Sequence, residues 1–167
     1  MSKDLGRAIA VRRDVRNADT VARVALDYDA RMVRRKRLRT DDDGSVLVDL
    51  PETLSLNAGD ALELEGGALV AVDAAPEPLL KITGDLPRLA WHIGNRHTPC
   101  AIANDHLLIR EDHVLTKMLE GLGAHVASAN GPFTPEGGAY GHGRTMGHSH
   151  GPHDHDHAHS HAHSHDH

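Results

Sequence analysis

Asp85-Leu86-Pro87-Arg88-Leu89-Ala90-Trp91-His92-Ile93-Gly94-Asn95-Arg96-His97-Thr98-Pro99-Cys100 is the stretch on which the fold turns. Leu86, Leu89, Ala90 and Ile93 recur at intervals of three and four, which lays one apolar stripe along a helix starting at Asp85. Asp85 suits the N-cap, and Pro87 suits a first turn whose N–H groups have no intrahelical acceptor. Gly94-Asn95 predicts the frayed end, and Pro99 prevents much continuation. His97 therefore falls at a helix end beside an apolar face. The chain has 16 histidines, most of them near its C-terminus, so His97 reads as a fixed metal ligand and the tail as its supply.

The flanks extend the pattern. Leu79-Leu80-Lys81-Ile82 predicts a strand before the helix. Cys100–Ala103 and His106–Arg110 predict two more, joined by a turn at Asn104-Asp105. Val114, Leu115, Met118, Leu119 and Leu122 mark a second amphipathic helix, with Asp112 near its start and Gly121 and Gly123 near its end. His125-Val126-Ala127-Ser128 is the last strand. The order βαββαβ predicts a ferredoxin-like domain over residues 76–140, one sheet with both helices on one face.

Upstream the signals are short and strand-like. Val21–Leu26, Val46–Leu50 and Leu62–Glu65 are separated by turn sequences at Asp42-Asp43-Gly44 and Asn57-Ala58-Gly59-Asp60, with Gly66-Gly67 following. Residues 1–75 therefore predict a small antiparallel barrel or sandwich with no catalytic constellation, suited to binding or scaffolding. Ala74-Ala75-Pro76-Glu77-Pro78 predicts a stiff joint. The fold class is α+β: a small all-β domain, a ferredoxin-like domain, then a tail over 141–167.

The net charge of −6 argues against a general nucleic-acid binder. The charge is uneven: Arg34-Arg35-Lys36-Arg37 and Arg39 are basic, whereas residues 41–77 hold acids and no Lys or Arg. A basic strand facing acidic neighbours is the favoured reading, and an anionic partner protein stays open. One cysteine allows neither an internal disulfide nor a thiolate zinc cluster. No signal-peptide h-region and no long apolar run is present, which predicts a cytoplasmic protein without membrane insertion.

Beyond residue 141 the composition is chiefly Gly, Ser, Asp, Ala, Pro and His, too apolar-poor to offset chain entropy, so disorder without metal is expected. Histidine alternates with Asp, Ala and Ser from His153 to His167. Imidazole donors at this density suit nickel, copper and zinc. The candidate metal ligands are His97, His113, His148, His150, His153, His155, His157, His159, His161, His163, His165 and His167. Treated as a flexible coil, a tail of roughly 26 residues spans about 25–30 Å, enough to reach His97. His92, His106 and His125 read as structural, and so does Cys100, as a small buried residue.

Several of these segments together resemble the UreE family, the urease accessory nickel metallochaperones. The likeness is carried by Asp29-Ala30-Arg31 with Arg34-Arg35-Lys36-Arg37-Leu38, Thr40-Asp41-Asp42-Asp43-Gly44 and Ala74-Ala75-Pro76-Glu77. Gly94-Asn95-Arg96-His97, Asp112-His113-Val114-Leu115 with Met118-Leu119, and Pro135-Glu136-Gly137-Gly138-Ala139-Tyr140 continue it in order. The resemblance implies a peptide- or partner-binding N-terminal domain over residues 1–75 and a homodimer formed through the C-terminal domain, with His97 of both subunits binding Ni2+ at the interface. His113 matches a peripheral metal-binding histidine of some members, whose companion ligand two positions earlier is Glu111 here. The family delivers nickel to the urease apoprotein complex with the accessory GTPase UreG, and Zn2+ and Cu2+ are expected to compete in vitro. A nickel or zinc storage protein is the alternative function. Catalysis is not expected, because no His-Glu-x-x-His helix, nucleophile elbow or phosphate loop is present.

Overall fold

A computed structural model describes residues 3–139. The expectations for the segment 141–167 lie outside the described residues.

The first half of the chain forms one six-stranded sheet from β1 (Asp4–Arg12), β2 (Ala22–Leu26), β3 (Met32–Arg39), β4 (Ser45–Ser55), β5 (Ala61–Leu64) and β6 (Leu69–Ala74), in the order β2-β6-β5-β1-β4-β3. Alternation of side chains drives it: β2 buries Ala22, Val24 and Leu26, and β4 buries Val46, Val48 and Leu50. These join Leu62, Val70 and Val72 in a core of small branched residues, each contributing about 1.5–3 kcal/mol when fully buried.

The sheet is not the purely antiparallel one expected, because β1/β4 and β2/β6 run parallel. Turn residues specify only consecutive neighbours, and both parallel pairs join strands separated by intervening elements. The charge pattern also resolves differently from the expectation. Arg35 stands opposite Asp49 in the β3/β4 register, yet Asp49 pairs with Arg7 (3.1 Å), which also holds Glu65. Glu63 pairs with Arg12, Asp60 with Arg13 and Asp73 with Arg23. The acids of this half are taken largely by arginines in or beside β1 and β2, and the basic run on β3 is left facing outward.

The second half follows β7 (Pro76–Thr83), α1 (Leu86–Asn95), β8 (Ala101–Ile102), β9 (Leu107–Arg110), α2 (His113–Gly121) and β10 (His125–Pro132). Its four strands form an antiparallel sheet in the order β10-β7-β9-β8. Leu89 and Ile93 of α1 and Leu115 and Leu119 of α2 join Leu80, Ile82, Leu107 and Ile109 in one buried cluster. Asp112 caps α2, accepting from the N–H groups of Val114 (2.8 Å) and Leu115 (3.0 Å). Asp85 occupies the cap position of α1 but makes no capping hydrogen bond.

The stretch expected as a stiff joint lies almost wholly within two strands. β6 ends at Ala74, the Ala75 N–H donates to the Leu26 carbonyl (2.9 Å), and β7 begins at Pro76. Pro76 stands opposite Pro132 where the β7/β10 ladder ends, a position where a missing N–H costs little. Phe133, fully buried, meets Tyr28 edge to face with ring centroids 5.4 Å apart, and both pack with Leu79. The buried Arg31 guanidinium donates to the carbonyls of Leu26 and Phe133, while Arg110 pairs with Asp29 (2.9 Å). Asp29-Ala30-Arg31 thus clamps the two halves together.

Candidate metal centre

The end of α1 decides where His97 points. The His97 N–H donates to the Gly94 carbonyl (2.9 Å), and the Thr98 N–H reaches back to that of Ile93 (3.4 Å). This double closure is the Schellman arrangement, whose first residue past the cap adopts a left-handed conformation and is usually glycine. Here that residue is His97, with φ of +56°. A side chain in this region is disfavoured, and such strain gathers at functional positions. The imidazole is exposed, at the negative end of the helix dipole, where a cation is favoured.

His97 borders a surface hollow of about 190 Å³ with Ala90, Gly94, Thr98, Pro99, Cys100, Ile102, Glu136 and Gly137. Two of these walls carry chemistry. The Glu136 N–H donates to the Cys100 carbonyl (2.9 Å), which pins the chain past Phe133 against the hollow. Burial pushes the Cys100 thiol up to about 11, and the nearby Glu136 carboxylate pushes it the same way. Without a metal the thiol is therefore protonated at neutral pH and donates to the Ala101 carbonyl (3.6 Å), and the hollow is also lined by the His97 imidazole and the Glu136 carboxylate. Ile102, on the terminal strand of its sheet, leaves an exposed apolar side chain beside them.

His113 is the first residue of α2, exposed, and is not among the walls of this hollow. Its neighbour Asp112 is occupied in capping, and Glu111 is exposed beside it. His92 is half-buried and packs edge to face against Trp91 (5.0 Å between centroids). His106 bonds through Nδ1 to Asp105 (2.6 Å), and that bond holds the Asp105 carboxyl below its ordinary range. The tail histidines from His148 to His167 lie outside the described residues. Among the described residues no three His, Cys, Asp or Glu side chains converge on one ion position. Sequence reasoning did not place Glu136 beside His97; its contact with Cys100 crosses 36 positions and leaves no local signal.

Among the described residues no helix is long and apolar enough to cross a membrane. Two family models match the chain: the UreE urease accessory protein N-terminal domain over residues 5–75 and its C-terminal domain over 69–167. The chain is similar to proteins named urease accessory protein UreE. That of Rhodobacter capsulatus is 60% identical over 129 residues, covering 77% of this chain and 83% of its own. That of Paracoccus denitrificans is 57% identical over 135 residues, covering 80% and 87%. That of Ruegeria pomeroyi is 55% identical over 148 residues, covering 88% and 99%.

Proposed function

The chain belongs to the UreE family of urease accessory proteins, and from that premise we propose that it carries Ni2+ as cargo to the urease apoprotein. Two chains pair through their C-terminal domains, which we read as ferredoxin-like, and bring two copies of His97 onto one ion. The observation that carries this reading is His97 itself, held exposed in a left-handed conformation where glycine would be cheaper. An ion-binding position near a two-fold axis is presented twice, so one imidazole per chain suffices. The exposed Ile102 on the sheet edge offers apolar contact area there, and Glu136 adds a carboxylate at the same hollow.

The tail supplies the remaining donors. Glu136, tied to Cys100 beside His97, stands six positions before His142. Six residues reach about 20 Å at full extension. The histidines from His148 to His167 collect nickel at high local concentration and pass it to the paired His97. Partner ligands on the urease apoprotein, assembled with the GTPase UreG, then displace the tail donors without unfolding a domain. His113 is a peripheral site with Glu111, and the setting is the cytoplasm. The domains divide at 75/76, with the tail from 141.

Apo-urease activation tests this reading against storage. A carrier activates urease more effectively than an equal dose of free nickel, and His97→Ala removes that advantage. Activation equal to that of free metal would make the protein a nickel or zinc buffer.

A further inference from the structure

We propose that Arg31, buried between the two halves of the chain, is a positioning residue for the metal centre: it holds the strap 133–137 that sets the Glu136 carboxylate beside His97, so that the site offers nitrogen from one and oxygen from the other. The inference rests on the reading of His97 as the nickel site. Arg31 lies in the turn before β3 and is 3% exposed. A buried cation is tolerated where hydrogen bonds replace its water, and Arg31 donates to the carbonyls of Leu26 and Phe133. Its guanidinium also lies over the Tyr28 ring, 5.8 Å from the centroid. The Phe133 carbonyl falls just past the last pair of the β7/β10 ladder, and the guanidinium takes over its fastening there.

The strap is fastened at both ends, by different halves of the chain. Phe133 is held through its buried ring against Tyr28 and Leu79, and through its carbonyl by Arg31. Three residues on, the Glu136 N–H donates to the Cys100 carbonyl (2.9 Å), and Glu136 and Gly137 line the hollow with His97. Three residues span about 10 Å at most, and Pro135 removes one backbone rotation between the two fastenings. A displacement at Phe133 therefore reaches Glu136 with little slack. The carboxylate stands close enough to the Cys100 thiol to push it upward, which puts it on the hollow's side of the strap. There it adds negative charge to the helix end that His97 occupies. Residues that orient a metal-ligating side chain change affinity about 10–100-fold when lost, although they never touch the ion. Arg31 is such a residue, reaching the site from the opposite half of the chain.

The test is a double-mutant cycle in the full chain, with nickel affinity read by calorimetry and stability by urea melts of the metal-free protein. Glu136→Gln should weaken the His97-dependent nickel site about tenfold or more, and Arg31→Met should weaken it to a similar extent. In the Glu136→Gln background Arg31→Met should change affinity by less than about twofold, because no carboxylate is left to misplace. Its effect on stability should instead be equal in the two backgrounds; a merely structural Arg31 would show that equality for affinity as well. If Arg31→Met fails to fold, Arg31→Lys decides, since it keeps the charge but lacks the planar fork that reaches two carbonyls. Nickel affinity unmoved by Glu136→Gln or by the Arg31 substitution, or lowered equally by the latter in both backgrounds, would overturn the proposal. Loss of the site in His97→Ala would in that case leave the carrier reading standing. A tight site that survives His97→Ala would remove that reading and this inference with it.

Discussion

Replacing His97 by glycine sets backbone strain against function, and the structure says how the two separate. At φ of +56° a residue with a Cβ carries about 1–2 kcal/mol of steric penalty that glycine avoids. Glycine gives back about 0.5–1 kcal/mol through the larger entropy of its unfolded chain. The imidazole is exposed, so its removal leaves no cavity to offset the gain. His97→Gly should therefore be neutral to about 1 kcal/mol more stable than the wild-type apoprotein. His97→Ala keeps the strain and loses the imidazole, so the glycine variant should exceed it by about 1 kcal/mol. For a chain of this size that is roughly 2–4 °C in Tm. Urea melts of metal-free protein at matched protomer concentration measure the difference, since dimer stability depends on concentration. Both variants should lose the tight nickel site. An alanine variant as stable as the glycine one would refute the assignment of strain to this position.

Three further outcomes follow from other contacts. Phe133→Ala should cost about 3–5 kcal/mol and, because Phe133 joins Tyr28 to Leu79, should split unfolding into two transitions; a single transition shifted by under about 1 kcal/mol in chemical denaturation would contradict it. Asp112→Ala should cost about 1 kcal/mol by freeing the N–H groups of Val114 and Leu115, read from the same melts. Asp73 is held below its ordinary value chiefly by its hydrogen bond to Arg23. A lowered folded-state value stabilises above the unfolded one, so the margin of wild type over Asp73→Asn should be full above about pH 5 and vanish as acid protonates the carboxyl; a margin unchanged at low pH would contradict the pairing.

The parts of this fold that were legible are those written in local periodicity. The stripe Leu86, Leu89, Ala90, Ile93 specified α1, and Asp112 marked the start of α2, because both signals lie within a few residues. Contacts that cross the chain were not legible. The parallel β1/β4 and β2/β6 pairs depend on strands meeting after intervening elements, and Arg31 finds the Phe133 carbonyl 102 positions away. β10 runs on to Pro132, past the expected strand His125–Ser128, because it is the terminal strand of its sheet and its last proline faces another proline. At the candidate site His97 was visible as a helix-end residue. Its left-handed backbone was not, since glycine is the residue that ordinarily announces that turn. Glu136 became visible only through its bond to Cys100.

The central claim, that one ion is shared by two copies of His97, is tested most directly by calorimetric nickel titration of the intact protein and His97→Ala, with native mass determination. The account predicts one tight nickel per dimer in the intact protein and only weaker, tail-borne binding in the variant. A tight site of unchanged stoichiometry and affinity in His97→Ala would contradict it.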